Sequence, residues 1–242
     1  MRGHTHSLSG AVAWLGAAPF ISAHAHHLTP LSVAVGTLVA AGASMLPDTD
    51  HHSGTIANTY GPLTKALCRF VAAISGGHRH ATHSLFGAAV ATALAAWATH
   101  DFWATVAAVW LCMGLAVRAL WGPPPRNMPN GRLDWRDVAG LTHALAAAFA
   151  AWGIVASGFD TGTLPWAVAV GYLAHLVGDS MTEWGLPVVL WPIRWRLRIA
   201  TIDTGKSIEK WVIVPGLYVA GLAATAYLTY EVWTPALTAT TH

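Results

Sequence analysis

Apolar residues in this chain gather into long runs free of Lys and Arg, at roughly 8–24, 31–47, 84–99, 102–121, 139–158, 164–182 and 211–230. About 20 apolar residues, and no fewer than about 17, carry an α-helix across the hydrocarbon layer. The pattern therefore predicts an all-α, polytopic integral membrane protein with about seven transmembrane helices. The first three runs are short, which implies tilt or local thinning of the bilayer. Turn-forming stretches separate the runs: His26-His27-Leu28-Thr29-Pro30, Thr99-His100-Asp101, 158–162 and Gly122-Pro123-Pro124-Pro125. With no strand-like alternation, repeat or long linker, residues 1–242 read as a single membrane-embedded domain.

Composition agrees with this reading. Hydrophobic residues make up 54% of the chain and charged ones 10%, against about 25% charged in soluble domains, and mean hydropathy is +0.46. Trp103, Trp121, Trp166 and Trp211 stand near the ends of apolar runs, where interfacial aromatic belts place them. Cys68 and Cys112 are far apart and form no CxxC, so free thiols are expected. Arg2 followed by an apolar run and Ala23-His24-Ala25 imitates a secretory leader. The segment is expected to be retained, because its His residues belong to the ligand set described below.

Alternating the seven runs across a bilayer puts residues 1–7, 48–83, 122–138 and 183–210 on one side. Twelve of the 13 Lys and Arg lie in these segments, and Arg118 is within one turn of the same end. The other side carries Asp101, Asp160 and Glu231. Basic loops face the cytoplasm, so the expectation is a multi-pass protein of the inner (cytoplasmic) membrane with its N-terminus inside. Because the bases are confined to these loops, the net charge of +2 says nothing about nucleic acid; no nucleic-acid partner is expected, membrane lipids are, and no oligomeric state follows. Within the basic segments, 60–75 spaces Leu63, Leu67, Phe70, Val71 and Ile74 along one face, as an interfacial amphipathic helix does. Trp191 to Arg198 interleaves Trp with Arg, which suits either a topology anchor or contact with anionic headgroups.

The same topology brings four groups of potential ligands to the cytoplasmic end. They are His4 and His6; Asp48, Asp50, His51 and His52; His78, Arg79, His80 and His83; and His175 with Asp179. Ionisable groups beside apolar spans default to function. His175 and Asp179 are four apart on a helix, so both can reach one ion. Pro47 ends the second run, and an extended Asp48-Thr49-Asp50 is expected to aim both carboxylates into one site. His78 and His83 bracket the start of the third run, where Thr82 or Ser84 can cap the helix and Arg79 can clamp an anion. Imidazole and carboxylate without thiolate suit Zn2+, with Mn2+ or Fe2+ as alternatives. The number of ligands suggests one to three ions, and a multinuclear site activates water for phosphoester hydrolysis. His24, His26, His27 and His100 read as residues of the outer surface, His143 as a core hydrogen bonder, and Asp203 as a solvated loop charge that can also join the site.

At these residues the chain resembles the YdjM-like family of predicted membrane-bound, metal-dependent hydrolases, some of them LexA-regulated. The matching pieces are His6; Leu46-Pro47-Asp48-Thr49-Asp50-His51; 77–85 (GHRHATHSL); Gly171-Tyr172-Leu173-Ala174-His175 with Asp179, Thr182 and Gly185; Trp191-Pro192; and Glu209. His80 replaces a residue that is usually small, and Glu183 stands where a Pro is common. The His/Asp pattern is similar, more distantly, to that of zinc-dependent phospholipase C and the zinc nucleases. The resemblance implies a hydrolase and tilts the substrate toward a phosphoester; the membrane surface favours a phospholipid-like one with an anionic head.

The resulting expectation is a metal-dependent hydrolase in which His6, Asp48, Asp50, His51, His78, His83, His175 and Asp179 form the metal site. Asp50, Arg79 and His83 act in the chemistry, Arg79 steadying developing negative charge. A metal transporter or metal sensor is the competing expectation, and it predicts ligands near the bilayer midplane.

Overall fold

The computed structural model describes residues 1–51, 54–122, 135–186, 189–193 and 196–233. His52 and the prolines at 123–125 lie outside the described residues. Among the described residues, eight α-helices follow one another: α1 (Gly3–His24), α2 (Pro30–Ala43), α3 (Pro62–Ile74), α4 (Leu85–Ala98), α5 (Phe102–Trp121), α6 (Trp135–Ala156), α7 (Thr163–Ser180) and α8 (Val214–Tyr227). Each expected run has become a helix, and α3 is the amphipathic segment. Among the described residues there is no β-strand, only isolated bridges between 182 and 202.

Starts and stops follow local chemistry. Thr29 accepts from the Ser32 amide and Pro30 opens α2; Ser84 caps α4 through the Gly87 amide; Asp101 caps α5 through the Ala104 amide. These caps satisfy amides that the first helical turn leaves without partners. Ser84, not Thr82, is thus the cap of α4.

The middle of the bundle is α2, packed against α1, α5 and α7. Close approach is enforced by small residues. A Cβ on Gly42 would lie 1.8 Å from the Cys112 carbonyl oxygen of α5, and one on Gly171 would lie 2.2 Å from the Ala40 oxygen. Backbone contacts this short are the means by which small residues join helices in lipid. Trp14 of α1 is fully buried against α2 and donates its indole N–H to the Val33 carbonyl at 3.0 Å.

Three helical stretches, Pro30–Asp50, Phe102–Trp121 and Glu209–Tyr230, are long and apolar enough to cross a membrane; Leu85–Ala98 and Gly140–Ala156 are apolar but shorter. The outer surface is correspondingly greasy. Phe20, Phe149, Val219 and Leu222 are each at least two-thirds exposed, and α8 buries none of its residues. A helix that is apolar all round and uncovered by protein is at home in lipid. Trp103, Trp121 and Trp211 are also exposed.

The apolar helices alternate in direction along the chain, α2 and α7 both ending on the side where α1 and α4 begin. His26, between α1 and α2, meets Asp160, between α6 and α7, at 2.8 Å, while the start of α1 and the end of α7 meet at the other end. There Glu209, fully buried, accepts from the Arg2 amide, the Thr5 hydroxyl and the Gly205 amide. This carboxylate ties the chain entering α8 to the first turn of α1.

Candidate metal centre

Four short segments meet at this end. The first turn of α1 contributes His6. A 3-10 turn, Leu46–Asp50, follows α2 and carries Asp48 and Asp50. A second, Ala81–His83, precedes α4, and the last turns of α7 hold His175 and Asp179. Pro47 begins a tight turn rather than the extended strand expected from the sequence. The reason is rotation: at three residues per turn, positions two apart point about 120° away from each other. Asp48 and Asp50 therefore diverge and straddle His83 instead of sharing one side of the site.

On one side, His83 Nε2 is 3.4 Å from Asp48 Oδ1 and 3.7 Å from Asp179 Oδ2. His175 Nε2 is 3.9 Å from the same Asp48 oxygen and 3.6 Å from the same Asp179 oxygen. Donor atoms on a tetrahedral zinc ion with bonds of about 2.0–2.1 Å stand about 3.3 Å apart, close to this spacing. His83, His175 and Asp179 are completely buried; the Nε2 atoms of the two histidines have no hydrogen-bond partner, and Asp179 Oδ2 has none besides its ion pair with Arg79. A buried polar atom left so costs about 1–3 kcal/mol; two such nitrogens converging with a carboxylate oxygen fit a cation. Asp48 is partly exposed, so this side of the site reaches solvent.

The outer nitrogens are held as metal-binding histidines usually are. His175 Nδ1 donates to the Ser44 carbonyl at 2.6 Å, which leaves Nε2 with its lone pair facing inward. His83 Nδ1 lies 3.3 Å from Asp50 Oδ2 and 3.2 Å from the Thr82 hydroxyl. Asp50, fully buried at its side chain, also accepts from His78 Nδ1 at 2.7 Å, the Arg79 amide at 2.8 Å and the Thr82 hydroxyl at 2.6 Å. With its oxygens so occupied, Asp50 orients other residues. Burial opposes the charged form of His83, but Asp48 and Asp50 outweigh it and push its pKa up to about 9.

Arg79 has φ +63°, a left-handed conformation uncommon outside glycine. It aims the guanidinium at Asp179 Oδ2, 3.1 Å away, and at the Gly185 carbonyl. His6 stacks on His175 with ring centroids 3.8 Å apart and places Nε2 3.3 Å from Asp179 Oδ1. His78 is exposed, with His51 edge-on at 4.9 Å. Three overlapping triads are close enough to hold an ion: His6, His175 and Asp179; Asp48, His83 and His175; Asp50, His78 and His83.

The structure thus gathers every proposed ligand at one end of the bundle, with His51 at the edge. His4 faces Tyr218 instead, Asp203 pairs with Lys206 on the surface, and His143 bonds the Gly114 carbonyl in the core. Sequence reasoning missed the Ser44 carbonyl, which no side-chain motif announces, and the donation of Thr82 to Asp50. Cys68 and Cys112 are free and buried.

Bundle and site together define a helical membrane protein with a buried His/Asp centre at one end. The chain matches the YdjM inner membrane protein family over residues 1–121 and 138–238, and belongs to it. Inner membrane protein YdjM of Escherichia coli (strain K12) is 27% identical over 132 residues, which cover 46% of this chain and 58% of that protein; the same protein of Shigella flexneri matches equally. The chain thus aligns with 58% of the length of these curated relatives. No solved structure matches.

Proposed function

We propose that this protein is a multi-pass, metal-dependent hydrolase acting at the cytoplasmic surface of the inner membrane, with a phosphoester as its substrate. The observation that carries the reading is the convergence of two buried, unpartnered imidazole nitrogens, on His83 and His175, with the buried carboxylate of Asp179, beside the partly exposed Asp48. Asp48, His83, His175 and Asp179 would hold the ion, with zinc the best match to this donor set. When bound, such an ion supplies activation of water and polarisation of the scissile group's oxygen. Asp50 holds His83 in register, the Ser44 carbonyl holds His175, and His6 braces Asp179. Arg79, beside Asp179, is placed to bind a phosphoryl oxygen as charge builds there.

Ligands grouped at one end of the bundle support a surface enzyme over a transporter, which needs a site that both faces can reach in turn. Asp179→Ala is expected to remove the metal and hydrolytic turnover while the protein still inserts in the membrane. Elemental analysis of detergent-purified protein, beside a phosphoester hydrolysis assay, checks this. Normal turnover by the variant would sink the proposal.

A further inference from the structure

A cleft of about 550 Å³ opens between α3 and α4 and is floored by α5 and α7. Its walls are apolar almost throughout: Phe70 and Ile74 on α3, Val90, Ala91 and Leu94 on α4, Leu111 on α5. Four of these side chains are more than 40% exposed, although large and apolar. Its floor helix, α5, is long and apolar enough to span a membrane, and walls this apolar suit an opening toward hydrocarbon rather than water.

Polarity is confined to the end nearest the metal centre. Thr82 lines the cleft and also donates to Asp50; Tyr172 lines it and donates to the Thr82 carbonyl; Ser75 and Thr49 stand at the same end. Trp191 closes that end against Phe86, with ring centroids 5.3 Å apart. It belongs to the segment bearing Arg196 and Arg198, and Trp beside Arg marks the level where headgroups meet chains. From Phe86 to Ala95, α4 carries the wall about 14 Å away from the site, and every residue it contributes beyond Gly87 is apolar.

We infer that this cleft binds one acyl chain of a membrane lipid and so presents the lipid's headgroup ester to the His/Asp centre. The inference rests on the hydrolase reading for its direction, and it names the substrate class: a lipid that enters sideways from the bilayer, with its head at Thr82 and its tail along α4. A water-soluble phosphoester would use neither the apolar wall nor the opening toward lipid. The volume falls within the range of about 300–1,000 Å³ usual for small-molecule sites.

The test uses the full chain in phosphatidylethanolamine–phosphatidylglycerol nanodiscs containing phosphatidylglycerol with a photoreactive diazirine midway along one acyl chain. Cross-linked peptides are mapped by mass spectrometry, with the outer face of α8 (Val219, Leu222) as the reference for ordinary lipid contact. Labelling of Phe70, Ile74, Val90 or Leu94 at least fivefold above that reference is expected. Ala91→Trp, which fills the cleft, should bring the ratio to about one without changing metal content; Val90→Trp, at a more exposed position, does the same if the first variant fails to fold. Equal labelling of cleft and α8, labelling that both variants leave unchanged, or a chain-to-chain cross-link showing a second copy in the cleft would each overturn the inference. Preferential labelling without turnover of any lipid would leave the cleft standing and remove the hydrolase reading; turnover with uniform labelling would do the reverse.

Discussion

At the residue scale, the two aspartates of one short turn separate by environment. Asp48 lies between the Nε2 atoms of His83 and His175 and keeps some exposure, whereas Asp50 is surrounded by donors from His78, Arg79 and Thr82. An oxygen that already accepts two or three short hydrogen bonds has little left for an ion, so under the proposed function Asp50 positions the ligands of the ion rather than binding it. Removing a partner of this kind typically lowers metal affinity about 10–100-fold. Asp50→Asn is therefore expected to keep its metal at a weakened affinity in that range, measured by chelator competition, while Asp179→Ala loses it altogether. Complete loss in Asp50→Asn would make Asp50 a ligand in its own right. His175 and Asp179 were legible in the sequence because i, i+4 spacing on a helix fixes their common face. The divergence of Asp48 and Asp50 was not, because it depends on the turn being 3-10 rather than extended.

Among the elements, α2 sets the geometry that the site inherits. It touches α1, α5 and α7, and the glycine contacts leave no room for a methyl group: the atoms that would meet it at Gly171 are the Ala40 backbone, which cannot swing aside as a side chain can. Gly171 is one turn before His175 on α7, so a forced separation of α7 from α2 moves His175 away from the Ser44 carbonyl that orients it. Gly171→Ala is expected to destabilise the protein by about 1–3 kcal/mol, the usual cost of overpacking. It should also lower metal occupancy, read from thermal inactivation in detergent together with metal content. Unchanged stability would mean that the helices part more easily than their backbone contacts imply. The hydrophobic pattern located all eight helices, including the amphipathic α3, because apolar runs and one-sided spacing are local properties. Which helix would be central was not legible, since α2 differs little in composition from its neighbours.

For the whole molecule, helices that alternate in direction bring the starts of α1 and α4 and the ends of α2 and α7 to one end, where the bases of the sequence also gather. If that end faces the cytoplasm, as the positive-inside rule requires, a cysteine placed at His27 should react with a membrane-impermeant maleimide in intact cells. One at Lys65 should react only after permeabilisation. Both positions are exposed, and the native Cys68 and Cys112 are buried, so background labelling is low. The reverse pattern would invert the topology and move the centre to the outer face.

By itself, the sequence determined the helical membrane class and the roll of ligand types, because these follow from composition and from spacing within one element. Only the tertiary structure decided which His and Asp side chains meet in each triad, which of them are already engaged by other hydrogen bonds, and that an apolar cleft between α3 and α4 ends at Thr82, the neighbour of Asp50. Those outcomes depend on distances between segments as far apart as His6 and Asp179, and such distances are set by how closely helix backbones pack, which no local pattern encodes.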